Sequence, residues 1–199
     1  AGNLLVSNWN AFPDAVYGVR ASDGTVLSTL VLSQNIDPVA VAYGGGRLYV
    51  LDGSPSEVVE INPADGSRVR SFSSVIGVNA GGLAVHPVSG SVWVASSNVS
   101  VVVELDAADG SVLRQVDLGP LGVPAGVITG VDFDSTGRML ISSVWGFVHV
   151  IDLEGGAVRG MPSLSGIEAV AQSGTPAVGG VASANVGQSI TLVGEGLNL

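Results

Sequence analysis

Cysteine is absent, lysine is absent, and histidine occurs only as His86 and His149. Without cysteine there is no disulfide framework, no thiolate metal site and no cysteine nucleophile. The seven basic residues are all arginines standing singly. No basic stripe exists for a phosphate backbone, which argues against nucleic-acid binding. Charged residues are 12% of the chain, about half the usual share. Even so, Gly, Ser, Asp or Asn interrupts every apolar run before the roughly 20 residues that a spanning helix needs, so no membrane span is expected. Helix-start signals followed by a helical apolar period are also missing, and almost no helix is expected.

What the chain does have is glycine, 29 residues of it, placed at a fixed period. The stretch Gly81 to Gly119 shows the unit as four short apolar runs: Leu83–His86, Val92–Ser96, Val101–Asp106 and Ser111–Leu118. The second run is apolar on both faces, so both should be covered. The last carries Arg114 and Asp117, which suits an outer edge that charge protects from aggregation. Asp109-Gly110 between two β-rich runs is a hairpin signal, because glycine accepts the positive φ such turns require.

The unit repeats. The glycine opening the second run recurs at Gly2, Gly46, Gly90 and Gly137, at separations of 44, 44 and 47. The hairpin glycine recurs at Gly24, Gly66 and Gly110, each after Asp, with Gly155-Gly156 in the fourth copy. Inner-strand copies are Val39–Tyr43, Leu83–His86, Gly130–Asp134 and Ile167–Gln172. A period in the mid-forties with four strands per repeat defines an all-β chain with the architecture of a β-propeller. Residues 3–32 hold only the last three strands of a blade, and residues 166–173 hold a lone first strand. Joined, they complete one blade, so 167–172 should lie beside 3–7. This arithmetic gives four blades closed by the chain ends, over residues 1–173; part of a six-bladed ring is the alternative. Val41, Leu48, Val50, Val85, Val92, Val94, Val131, Phe133, Leu140 and Ile141 are the expected core. From Gly174 the spacing changes, and residues 174–199 read as two strands, about Ala177–Ala182 and Ser189–Val193.

The repeat resembles the NHL/YVTN propellers of secreted bacterial proteins. Gly46-Arg47-Leu48-Tyr49-Val50, Gly90-Ser91-Val92-Trp93-Val94 and Gly137-Arg138-Met139-Leu140-Ile141 carry the resemblance. The tail resembles the opening of an IPT/TIG immunoglobulin-like domain through Pro176, Gly187, Ile190-Thr191-Leu192, Gly194 and Gly196-Leu197. The resemblance implies a fold more than an activity. Its first implication is a non-catalytic extracellular module of a bacterial cell surface: a scaffold, adhesin or fibre subunit, with protein partners that include copies of itself. The alternative is a propeller enzyme of the lactonase or lyase type with a metal at the central channel. Acidity, with a net charge of −10, and the lack of cysteine agree with an exported protein.

Candidate site residues are few. The inner-strand ends, where a channel metal would sit, correspond to Asp37, Asn79, Thr129 and Glu168. Of these Asp37 and Glu168 are the carboxylates, and calcium is the ion that oxygen ligands of this kind admit; Asp and Asn at such positions also simply cap turns. His86 and His149 fall far apart in the repeat frame, against a shared metal. Asp132-Phe133-Asp134-Ser135-Thr136-Gly137 looks like a calcium loop but lacks its third acid and terminal Glu, so the frame makes it strand plus turn. No Gly-x-Ser-x-Gly elbow precedes a helix, and Gly44-Gly45-Gly46 precedes a strand, which rules against a phosphate cradle. Asn98-Val99-Ser100 is a glycosylation sequon. Trp9, Trp93 and Trp145 occupy second strands or their ends, where packing between blades is the expectation and sugar stacking the alternative.

Overall fold

The computed structural model describes residues 3–8, 13–33, 36–76, 80–153 and 158–160. They form four antiparallel sheets. The first has three strands, β1 (Asn3–Asn8), β2 (Ala15–Arg20) and β3 (Val26–Val31). The second holds β4 (Pro38–Gly44), β5 (Arg47–Asp52), β6 (Glu57–Ile61) and β7 (Arg68–Ser73). The third holds β8 (Ala80–Val85), β9 (Val92–Ser96), β10 (Val101–Leu105) and β11 (Val112–Asp117). The fourth holds β12 (Ile128–Phe133), β13 (Met139–Ser143), β14 (Val148–Ile151) and β15 (Val158–Gly160). Each is a meander in chain order, and the only helix among the described residues is one 3₁₀ turn, Gly119–Leu121. No helix there is long and apolar enough to cross a membrane.

The sheets pack in sequence through their first strands, β1 against β4, β4 against β8, and β8 against β12. This is a propeller-like repeat. The expected closure of 167–172 beside 3–7, and the two strands of 174–199, lie outside the described residues.

Both glycine registers answer to backbone geometry. Gly46, Gly90 and Gly137 take φ of 77, 71 and 86°, and Gly24, Gly66 and Gly110 take 73, 74 and 77°. Each hairpin Asp turns its carboxylate onto the backbone two residues ahead: Asp23 accepts from Thr25 N, Asp65 from Ser67 N and Asp109 from Ser111 N, at 2.8–3.0 Å. The same bulge follows in all three copies, leaving Leu27, Val69 and Leu113 without a partner residue on the neighbouring strand. Local chemistry therefore writes the turn identically three times.

The core lies between sheets. Tyr49, Leu51 and Val58 of the second sheet meet Leu83, Val92, Val94 and Leu105 of the third. Trp93, Ala84 and Val102 of the third meet Val131, Met139 and Ile141 of the fourth. Seven of the ten expected core residues are buried: Val41, Leu48, Val50, Val92, Val94, Val131 and Ile141. Val85, Phe133 and Leu140 are only partly buried. Val85 and Phe133 end their strands at the sheet rim, and Leu140 alternates with Met139 and Ile141, so it faces away from the third sheet.

His86 and Asp134 leave the inner strands and cap the following turns, because their side chains capture turn N–H groups. Trp145 is 60% exposed, against the expected packing between blades. It sits at the tip of the β13–β14 turn, beyond the strands that would cover it. Trp9 lies outside the described residues.

Candidate functional site

The first strands face a shared cavity of about 450 Å³, lined among the described residues by β1, β4, β8 and β12. Leu4, Leu5, Val41, Ala42, Leu83, Ala84 and Val85 make its walls apolar. Asn3 and Tyr43 add neutral polar groups, and Asp132 is the one carboxylate.

Register explains why Asp132 stands there. Asp132 pairs with Leu140, Ala84 with Trp93 and Ala42 with Tyr49. The three are therefore the same position of three successive sheets, and only the fourth sheet places a carboxylate where the others place a methyl group. Asp132 Oδ1 accepts from the adjoining Phe133 N–H at 2.8 Å. It makes no other hydrogen bond and no ion pair with a described residue. Burial pushes its carboxyl above the usual range, and that single hydrogen bond offsets the rise only in part. The sequence reading placed Asp132 in an inner strand, where it lies, but considered it only as part of a calcium-like loop with Asp134. The signal that separates them is the repeat itself: Asp132 breaks an alanine column, whereas Asp134 opens the turn.

Asp134 is structural, as expected. Burial raises its carboxyl, but the Thr136 hydroxyl, the Arg138 guanidinium and both of their backbone N–H groups outweigh it and hold the pKa at about 2.

Of the other candidates, Asp37 and Thr129 do not line the cavity. Asp37 precedes β4; its N–H donates to Asp52 Oδ1 at 3.1 Å and its carbonyl accepts from Gly53 N–H at 2.8 Å. Thr129 shares a hydrogen bond with Ser142 at 3.1 Å. Asn79 and Glu168 lie outside the described residues. No group of three or more His, Asp or Glu side chains able to hold a metal occurs among the described residues. One carboxylate, one amide and one phenol fall short of the about six to eight oxygens that calcium takes. The cavity donors described here therefore do not fit a calcium site.

His86 and His149 sit in different sheets. His149 lies in β14 opposite Ile141, and burial lowers its pKa. His86 heads a hydrogen-bond chain: Nδ1 to Ser89 Oγ at 3.0 Å, Ser89 Oγ to Ser91 Oγ at 2.7 Å, and Ser91 Oγ to Glu104 Oε1 at 2.6 Å. A Ser–His–acid order is superficially present. However, Nδ1 also accepts the backbone N–H of Ser89 at 3.1 Å, and the acid contacts a serine rather than the imidazole. That arrangement braces the β8–β9 turn against β10; it does not activate a nucleophile.

No protein-family model matches the sequence, and no curated protein matches it. Solved structures do. Glutaminyl cyclase of Myxococcus xanthus is similar at a TM-score of 0.59 and 15% identity, over 81% of this chain and 70% of that one. The WD40 β-propeller domain of Doa1 is similar at 0.57 and 14%, over 81% and 51%. Virginiamycin B lyase of Staphylococcus aureus is similar at 0.52 and 8%, over 74% and 48%. At such identities the likeness shows the fold alone: a propeller-like architecture shared by enzymes and by other propeller domains. The chain spans about half the length of several of these structures.

Proposed function

We propose that the chain belongs to a propeller enzyme that binds a small molecule in the central cavity and uses Asp132 to move a proton on it, as a lyase or lactonase would. The observation that carries this reading is Asp132 itself, a carboxyl that stands where the preceding sheets have alanine, lines the cavity between the sheets and has its pKa raised by burial. A carboxyl tuned upward takes and returns protons closer to neutral pH than a solvated one. The likeness to a cyclase and a lyase supports the choice of class. No step is routed through a metal. In this reading the four sheets form a closed ring, residues 167–172 supply the first strand of the sheet that begins with β1, and residues 174–199 begin an Ig-like module. The protein would act outside a bacterial cell, as its acidic, cysteine-free composition suits.

The second reading is a non-catalytic extracellular scaffold with protein partners, favoured by the small number of ionisable groups in the cavity. Wild type and the near-isosteric Asp132→Asn separate the two. Both are screened for opening of a lactone panel, with ligand binding followed by the NMR signals of the cavity residues. Turnover that falls at least about a hundredfold in Asp132→Asn, at unchanged melting temperature, supports the enzyme. Turnover equal in both proteins refutes the role of Asp132. Binding without turnover favours the scaffold.

A further inference from the structure

Six of the seven arginines are engaged by acids. Arg20 pairs with Asp23 at 2.8 Å, Arg68 with Glu57 at 3.0 Å, and Arg47 with Glu60 at 3.7 Å. Arg70, Arg114 and Arg138 pair with Glu60, Glu104 and Asp134, each at 2.6 Å. The seventh, Arg159, is in β15, opposite Val150, which is opposite Leu140, which is opposite Asp132. That row places its backbone three strands out, about 14 Å away at the usual inter-strand spacing. With no lysine in the chain, the described residues offer Asp132 no cation.

A carboxylate held in an apolar cavity without a partner is costly. A ligand that brings the missing positive charge recovers that cost and gains specificity with it. Among the described residues the cavity supplies too few oxygens to favour a metal ion. An ammonium group needs only the carboxylate and a few neutral acceptors such as the Asn3 amide and Tyr43 hydroxyl, and its hydrocarbon body would cover the half-buried Leu4, Leu5 and Val85. We infer that the central cavity is selective for a compact organic ammonium ion with an apolar body, its charge set on Asp132. This rests on the reading of the cavity as the small-molecule site.

Three molecules of one shape test it on the full chain: cyclohexylmethylammonium, cyclohexylmethanol and cyclohexanecarboxylate, titrated by calorimetry and by the NMR signals of the cavity residues. At pH 8 the ammonium should bind roughly tenfold or more tightly than the alcohol, the gain expected of a hydrogen bond to a charged group, and the carboxylate should bind least. Asp132→Asn should bring the ammonium down to the alcohol's affinity and leave the alcohol unchanged. Asp132→Glu, which keeps the charge, should retain part of the preference. Ammonium affinity should fall as pH drops through the Asp132 pKa, because only the ionised carboxyl pairs; among the described residues Tyr43 is the one other titratable side chain lining the cavity. Equal affinity for ammonium and alcohol overturns this inference while the small-molecule site stands. If none of the three moves a cavity signal, the inference and the site fail together.

Discussion

Replacing Trp93 by alanine tests how the sheets hold together. Trp93 is fully buried between the third and fourth sheets. Its ring meets Phe133 edge-on at 5.6 Å, and the Arg114 guanidinium lies 4.8 Å from its centroid. Its Nε1–H donates to Ser91 Oγ at 3.2 Å. Truncating a buried Trp to Ala costs about 3–5 kcal/mol. Arg114 is 43% exposed, so the lost cation–π contact adds only about 0.5–1 kcal/mol. Ser91 keeps Glu104 and Ser89 as partners, so no polar group is orphaned. The expected loss is about 4–6 kcal/mol, which at roughly 2–4 °C per kcal/mol lowers the melting temperature by about 10–20 °C. Trp93→Phe should lose about half of this or less. Urea unfolding followed by circular dichroism measures both. A loss below about 2 kcal/mol for Trp93→Ala would mean that the joint between these sheets does not depend on the indole, and the packing account would be wrong.

Val94 is fully buried and faces Leu83 and Val103 across its two neighbours. Val94→Asp buries a charge without a partner and should abolish soluble folded protein; a soluble variant with an unchanged melting temperature contradicts the placement. Asp134, with its pKa depressed to about 2, contributes stability that is present above the ordinary carboxyl pKa and lost as pH falls from about 4 through about 2. An NMR titration giving Asp134 an ordinary value would remove the turn argument. Amide hydrogens of β1 should exchange faster than those of β9, because β1 belongs to the three-stranded sheet and none of its residues is fully buried. Equal protection would deny that difference.

Much of the fold is legible in the sequence because turn chemistry repeats. The two glycine registers locate hairpins, and the strands between them follow; the observed β9 has the expected ends, Val92 and Ser96. Expectation failed at His86 and Asp134, where an apolar alternation was extended one residue into a turn. Each side chain accepts N–H groups of its own turn, His86 from Ser89 and Asp134 from Thr136, which ends the ladder there. Burial failed at Leu140 for a different reason. Which face of a strand meets which neighbour depends on the order of sheets around the cavity, which periodicity within one strand does not encode. Asp132 was missed because it was grouped with the acid nearest in sequence, Asp134, rather than with Ala42 and Ala84, its equivalents in space.

Departures from the repeat carry more functional information than the repeat does. In the second and third sheets one cross-strand position holds an ion pair, Glu60 with Arg70 and Glu104 with Arg114. In the first sheet the equivalent pair is Gly18 with Ser28, and a Cβ on Gly18 would stand 2.4 Å from Ser28 Oγ, too close to be tolerated unmoved. Arg70 also reaches the carbonyls of Ala107 and Ala108, and Arg47 reaches Ala107 at 3.2 Å, so arginines tie the second sheet to the third. The first sheet is joined to the second by Ser33, whose N–H and hydroxyl both donate to the Gly66 carbonyl. Charged ties thus give way to a neutral one between the first and second sheets, and the cavity's own carboxylate comes from the fourth sheet. A scaffold has no evident reason to put a carboxylate in an apolar cavity; on the function proposed above, a protein that admits a ligand there does.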